Sequence, residues 1–134
     1  MNIDEYEPAK EPELYEFHVH DDQRGSLSVQ DFSDFPVSFS RLFVINSFAP
    51  SLKRGGHAHK KCWQFLFTSH SGVIVTISNK NSTNTIELRR DMGLLVPPYN
   101  WLEIEFSKSE SDLNVLASES YDPGDYIYSR PERN

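Results

Sequence analysis

The feature that most constrains the fold is a succession of short runs rich in β-branched and aromatic residues, separated by turn signals. Clusters of Gly, Pro, Asn, Asp and Ser interrupt the chain at SHSG (69–72), SNKNSTN (78–84) and YDPGD (121–125). Between turns, GVIVTIS (72–78) and WLEIEF (101–106) alternate with the period of two that half-buried strands show. No window longer than about 12 residues sustains a helical stripe. The pattern predicts an all-β domain built as a sandwich, jelly roll or barrel.

The length and the N-terminal composition define the expected domain. A chain of 134 residues suits one compact domain. Residues 1–13, MNIDEYEPAKEPE, are polar, acidic and proline-bearing, and they predict a poorly ordered or loosely docked arm. Residues 14–134 are therefore expected to form a single β domain.

Composition argues against several classes of function. The net charge is −7, whereas a nucleic-acid-binding protein needs a basic face, so we expect no nucleic-acid partner. Cys62 is the single cysteine, which forms no internal disulfide and fits a reducing compartment. There is no apolar run of about 18 residues and no signal-like N-terminus. These features predict a cytoplasmic protein without a membrane partner.

Two histidines one residue apart, His57 and His59, are the strongest candidates for chemistry. They lie in RGGHAHKKCWQ (54–64), directly after two glycines. Residues two apart on a strand point to the same face, so both imidazoles would enter the interior of a small barrel. This spacing leaves three interpretations open: side chains at the rim without a function, a metal site, or an acid–base pair.

The residues that accompany the pair favour proton transfer over metal binding. Five positions after His59 stands Gln64, and amides bind transition metals more weakly than carboxylates do. The later segment GLLVPPYNWLEIEF (93–106) contains no histidine, so we expect no metal at the pair. An imidazole titrates near neutral pH and can take a proton from one atom and return it to another. That chemistry suits enolisation next to a carbonyl group.

Five motifs in order resemble those of the cupin-type sugar 3,4-ketoisomerases, the FdtA-like or WxcM-like C-terminal group. The motifs are DQRGSL (22–27), FSRLFVI (39–45), RGGHAHKKCWQ (54–64), GLLVPPYNW (93–101) and LASESYDPGDYI (116–127). The resemblance spans about residues 20–128. It implies a small cupin or jelly-roll β-barrel that dimerises by exchanging N-terminal strands.

Members of this family act on dTDP-4-keto-6-deoxyglucose in deoxyaminosugar biosynthesis. The resemblance implies that this chain converts that sugar to a dTDP-3-keto-6-deoxyhexose through an enediol, with no cofactor and no metal. By position, His57 and His59 would be the catalytic acid–base pair. The residues that the resemblance implies for substrate binding are Arg41, Arg54, Gln64, Tyr99, Trp101 and Tyr121.

The sequence departs from the family pattern at three places near the implied site. Members commonly carry a tyrosine at the position of Phe43 or Val44, and here neither is one. Leu102 stands where many members have a histidine, and Tyr128 where the last strand often has an arginine. Tyr99, on the loop before Trp101, is a candidate for the missing phenol. The departures leave three possibilities open: an altered substrate, an altered stereochemistry, or a protein that binds its ligand without turnover. The alternatives to a ketoisomerase are a non-catalytic sugar-nucleotide-binding cupin and a metal-dependent cupin of another activity.

Overall fold

The structure is a computed structural model that describes residues 5–47, 53–108 and 111–132. The strands are β1 (Glu13–Glu16), β2 (His18–Asp22), β3 (Gly25–Val29), β4 (Arg41–Asn46), β5 (Lys53–His59), β6 (Gln64–Phe67), β7 (Val73–Ser78), β8 (Thr83–Leu88), β9 (Met92–Val96), β10 (Trp101–Phe106), β11 (Asp112–Ala117) and β12 (Tyr126–Ile127). One short 3₁₀ turn, Pro123–Asp125, precedes β12. The predicted all-β fold is confirmed. No helix in the described ranges has the length and apolar character needed to cross a membrane.

Two five-stranded sheets enclose the main core. Their strand orders are β1-β9-β6-β11-β4 and β12-β5-β10-β7-β8, and the pairings are antiparallel. Alternate residues of β7, Val73, Val75 and Ile77, are buried because a strand turns every second side chain to the same face. They pack with Leu66 and Val115 of the opposite sheet. Strands β4 and β12 are the outermost strands on one side of their respective sheets.

A second, aromatic cluster covers the outer face of the first sheet. Phe65 is buried and follows Gln64 on β6, so its ring points away from the side chain of Leu66 in the main core. The rings whose centroids lie within 6.4 Å of Phe65 are those of Tyr15, Phe17, Phe32, Phe35, Phe39 and Phe67. The central strands of this sheet are therefore buried on both faces.

Gly93 lies directly beneath the Phe65 ring. A Cβ atom added at Gly93 would stand 2.1 Å from Cζ of Phe65. Because other rings surround Phe65, we expect Gly93→Ala to lower the free energy of unfolding by about 1–3 kcal/mol, the range of core overpacking. Urea denaturation followed by circular dichroism measures it. The loss should be smaller in a Phe65→Leu background, and an equal loss in both backgrounds would contradict the steric explanation.

The N-terminal segment contacts the barrel from residue 5 onward. Tyr6 is buried, and its hydroxyl donates a hydrogen bond to the carbonyl of Ser129 at 2.8 Å. The side-chain amide of Asn100 donates to the carbonyl of Lys10 at 3.0 Å. Residues 1–4 lie outside the described residues, and the order of the expected arm at 1–13 stays a prediction.

The hairpin formed by β2 and β3 is a separate two-stranded sheet. All its residues are exposed, including Val19, Leu27 and Val29. Strand β4 likewise exposes Leu42 and Val44 on its outer face. These apolar side chains form an uncovered surface outside the barrel.

Candidate active site

Strand β5 directs both histidines into the barrel. Ala58, between them, packs on the outer side with Trp101 and Ile127, so the flanking side chains turn inward. The two imidazole rings lie 5.2 Å apart, nearly perpendicular to each other. The predicted same-face arrangement of His57 and His59 is therefore what the strand geometry produces.

The two glycines before the pair allow β5 to approach β10 closely. Gly55 and Gly56 have φ of 88° and 80°, a region that only glycine enters readily. A Cβ at Gly55 would stand 2.8 Å from the carbonyl oxygen of Leu102. The β5–β10 register shifts between Leu102 and Glu103. The segment Arg54-Gly55-Gly56 is therefore the irregular part of the β5–β10 pairing. The side chain of the next residue, His57, points into the barrel.

Asp125 holds His59 in one tautomer, and sequence reasoning did not select it. Its carboxylate lies 2.9 Å from Nδ1 of His59, and the two residues are 8% and 5% exposed. The same carboxylate accepts hydrogen bonds from the backbone N–H groups of Lys61 (2.7 Å) and Cys62 (3.2 Å). Because it acts as an acceptor there, we assign the proton to Nδ1 of neutral His59, leaving a lone pair on Nε2. That Nε2 is buried and has no hydrogen-bond partner among the described residues.

The predicted turn in YDPGD (121–125) places the carboxylate of Asp125 beside His59. Asp122 caps the 3₁₀ turn by accepting from the N–H of Gly124 at 2.9 Å. The N–H of Lys60 donates to the carbonyl of Asp125 at 2.9 Å. The turn therefore fastens Asp125 to the end of β5. Because YDPGD has the composition of an ordinary turn, the sequence did not indicate that Asp125 contacts His59.

Burial keeps both histidines neutral. Burial lowers the pKa of His57, and the neighbouring His59 lowers it further. Burial also lowers the pKa of His59, although Asp125 opposes that shift by favouring the charged form. Two neutral imidazoles can both accept protons at neutral pH.

A cavity of about 130 Å³ lies beside His57, between the sheets. Its polar lining is His57, Arg54 and Gln64, and its apolar lining is Phe43, Ile45, Leu66, Leu102, Ile104 and Val115, with Gly55 at the edge. Arg54 and Gln64 are thus brought together with the pair, as expected, and their roles in substrate binding stay predictions. The cavity combines a small polar end with an apolar body.

Arg41 lies on the same inward-facing side of β4 as Phe43. Its guanidinium stands 5.2 Å from the centre of the Phe43 ring, and its Nε donates to the carbonyl of Glu119 at 3.2 Å. Its positive charge acts on both His59 and Tyr126. Arg41 therefore joins the site from the opposite sheet.

Tyr99 and Trp101 are not brought to the cavity. Leu102 lines the cavity, so its neighbour Trp101 points outward, where it packs with Tyr6 and Tyr99. The Tyr99 ring lies 6.3 Å from that of Tyr6. The chain between β9 and β10 thus places Tyr99 against the outer cluster, and its role as a replacement for the missing phenol stays a prediction.

A different tyrosine lies beside the histidines. The Tyr126 ring centre is 4.8 Å from that of His57 and 4.4 Å from that of His59. Tyr121, predicted to bind substrate, is 65% exposed and lies 5.9 Å from Tyr126. Tyr128 is 68% exposed and stacks on Tyr126 at 5.8 Å. The phenol absent at Phe43 is thus present on β12.

The described residues contain no group of three or more His, Cys, Asp or Glu side chains arranged to hold a metal ion. The carboxylate nearest to the pair, Asp125, instead engages Nδ1 of His59.

This barrel with an inward histidine pair defines a cupin-type protein. A family model described as FdtA, WxcM-like, C-terminal, matches residues 10–132. The chain belongs to this family, and the resemblance inferred from the five motifs is confirmed.

Several characterised relatives share the sequence and the fold. The TDP-4-oxo-6-deoxy-alpha-D-glucose-3,4-oxoisomerase of Aneurinibacillus thermoaerophilus is 35% identical over 108 residues, which cover 79% of this chain and 78% of the relative. A mutant of the 3,4-ketoisomerase QdtA from Thermoanaerobacterium thermosaccharolyticum, in complex with TDP-4-keto-6-deoxyglucose, is 30% identical, with a TM-score of 0.80 over 88% of this chain and 87% of that one. The WlaRB TDP-quinovose 3,4-ketoisomerase from Campylobacter jejuni is 29% identical, with a TM-score of 0.80 over 90% and 94%.

Proposed function

We propose that the protein is a nucleotide-sugar 3,4-ketoisomerase that converts dTDP-4-keto-6-deoxyglucose to a dTDP-3-keto-6-deoxyhexose, for deoxyaminosugar biosynthesis. The observation that carries the proposal is the free lone pair on Nε2 of His59, which Asp125 orients next to the cavity-lining His57. The name of the relative from Aneurinibacillus thermoaerophilus describes the same conversion of a 4-oxo-6-deoxy sugar.

The reaction needs only proton movement. The 4-keto group acidifies the C3–H bond, and a base removes that proton as the electron pair forms a C3–C4 double bond. The electrons of the C4=O bond move to O4, which takes up a proton. The resulting enediol then takes a proton at C4, while O3 loses its proton and becomes the new ketone. Neutral imidazoles supply the base, and the imidazolium formed returns the proton. The substrate is neither oxidised nor reduced overall.

The lining of the cavity suits the substrate. The apolar side chains of Phe43, Leu66 and Leu102 match a methyl group at C6 better than a hydroxymethyl group, which would need a buried hydrogen-bond partner. Arg41 and Arg54 can bind the diphosphate, because a guanidinium donates paired hydrogen bonds to phosphate oxygens.

The activity should depend on the neutral form of the pair. Because burial lowers the pKa of His57 and His59 below the ordinary 6.5, both stay unprotonated at neutral pH. We expect kcat/KM to stay level from about pH 8 down to about pH 6.5, and to fall only at lower pH, where the pH reaches the lowered pKa and the base becomes protonated. The rate of isomerisation in overlapping buffers measures this.

The lowered pKa values of His57 and His59 also make the free energy of unfolding depend on pH. Below about pH 6.5 the unfolded chain binds protons that the buried histidines exclude, so stability also decreases as the pH falls. Circular dichroism at each pH separates lost activity from lost fold. Activity that rises as the pH falls, with the fold intact, would contradict a neutral imidazole base.

Deuterium exchange tests the function directly. The protein is incubated with dTDP-4-keto-6-deoxyglucose in deuterium oxide, and the sugar protons are followed by NMR. We expect loss of the C3 proton signal and appearance of the 3-keto product. Tight dTDP binding in calorimetry without exchange would instead indicate a non-catalytic sugar-nucleotide-binding protein. Stoichiometric iron, nickel or zinc in elemental analysis would point to a metal cupin of another activity.

The proposal includes a cytoplasmic homodimer formed by exchange of the N-terminal strands. The exposed hairpin β2–β3 and the apolar outer face of β4 support it, since uncovered edges and apolar patches of this kind are usually buried by a partner. Light scattering after size-exclusion chromatography should give twice the mass of 15.5 kDa, and a monomer at micromolar concentration would contradict it.

A further inference from the structure

The isomerisation moves two protons, and the histidine pair can transfer only one of them. One proton passes from C3 to C4. The other leaves O3 and arrives at O4. The N–H of neutral His59 is donated to Asp125, and His57 hydrogen-bonds the backbone of Gly55. Each neutral ring therefore has its N–H group engaged and carries a lone pair on its other nitrogen, so the developing oxyanion at O4 needs another donor.

Tyr126 is the donor that the fold places next to the pair. Its ring contacts both imidazoles at 4.8 and 4.4 Å. β12 pairs with β5 so that Tyr126 lies opposite His59, and Asp125 immediately before it is the residue that holds His59. The pairing of β12 with β5 therefore positions both the carboxylate that orients His59 and the phenol of Tyr126.

Arg41 hydrogen-bonds the Tyr126 side chain from the edge strand of the opposite sheet. A guanidinium stabilises a phenolate but gives up no proton of its own at physiological pH. Burial raises the pKa of Tyr126, and Arg41 counteracts this by favouring the charged form. Because Arg41 favours the charged form, the Tyr126 phenol can lose its proton during the reaction and take one back afterwards.

We propose that Tyr126 is a catalytic residue that carries the oxygen-bound proton while the histidine pair carries the carbon-bound one. As C3–H breaks and the C4=O electrons move to O4, the phenol protonates O4 and becomes a phenolate beside Arg41. As C3=O forms, the phenolate takes the proton from O3 and the imidazolium protonates C4. Both groups return to their starting states, so atoms and charges balance. This inference rests on the proposed 3,4-ketoisomerase function.

Tyr128 provides the matched control, and Tyr121 is a second exposed tyrosine beside the same ring. Tyr121 and Tyr128 lie within 6 Å of the Tyr126 ring, but both are exposed. Among the ring contacts of the described residues, neither touches a histidine. Tyr128→Phe removes a phenol that lies directly after β12 without removing the one beside the pair.

The test compares Tyr126→Phe, Tyr128→Phe and the wild type with dTDP-4-keto-6-deoxyglucose in deuterium oxide. We expect Tyr126→Phe to lower kcat by about 10²-fold, in the range of general acid–base catalysis, with KM and melting temperature nearly unchanged. Tyr128→Phe should keep the wild-type kcat. Unchanged kcat in Tyr126→Phe would overturn the inference. A wild type that exchanges no C3 proton would instead refute the proposed function itself.

A second measurement separates chemistry from packing. Replacing Tyr126 with 3-fluorotyrosine keeps the ring and lowers the pKa of the phenol. The alkaline limb of kcat should then move to lower pH, while the same replacement of Tyr128 should leave it in place. An alkaline limb that does not move with the residue at 126 would contradict proton transfer by this phenol.

Discussion

Replacing His57 or His59 with asparagine is expected to lower kcat by about 10²- to 10⁴-fold, the contribution of a positioned acid–base group. Asparagine has a side chain that hydrogen-bonds but does not titrate near neutral pH, so the cavity stays polar while the base is lost. NMR of the sugar protons in deuterium oxide measures both exchange and conversion. The melting temperature reports whether the barrel is intact.

The control is His70→Asn. His70 pairs with Asp112 at 2.9 Å on the surface, outside the lining of the cavity, and its replacement should leave kcat unchanged. If His57 and His59 act as one unit, the double variant should lose little more than either single variant. Wild-type kcat in both single variants would contradict the role of the pair.

Asp125→Asn is expected to have the second large effect. The carboxylate fixes the proton on Nδ1 of His59 and accepts from the N–H groups of Lys61 and Cys62. An amide can turn only one acceptor oxygen toward these donors, so the tautomer of His59 is no longer enforced. We expect kcat to fall by about 10²-fold or more and the free energy of unfolding to fall by about 1–3 kcal/mol, the cost of an unsatisfied buried polar group.

Asp122→Asn is the matched control for Asp125→Asn. It lies in the same turn and changes the same functional group, but asparagine caps a helix start as well as aspartate does. Its activity and stability should therefore stay near those of the wild type. ¹⁵N NMR of the imidazoles reports the tautomer of His59 directly. An unchanged tautomer and unchanged kcat in Asp125→Asn would show that the carboxylate does not position the base.

Local sequence patterns were sufficient to predict the all-β class of fold and to select His57 and His59 as the candidate acid–base pair. The period of two in GVIVTIS and WLEIEF predicts strands whose alternate residues are buried, because the alternation of side chains is a property of the strand itself. The same periodicity places His57 and His59 on one face. Turn residues in YDPGD likewise predict a turn, which the structure forms as the 3₁₀ turn Pro123–Asp125.

The tertiary structure alone decided which residues complete the site. Asp125 is 66 positions from His59 along the chain, and only the pairing of β12 with β5 brings them together. The same pairing places Tyr126 beside the imidazoles. The register of β10 turns Leu102 into the cavity and Trp101, with Tyr99, to the outer face. A local sequence pattern determines which side chains share a face of a strand, whereas the partner strand and its register are set by packing between distant segments.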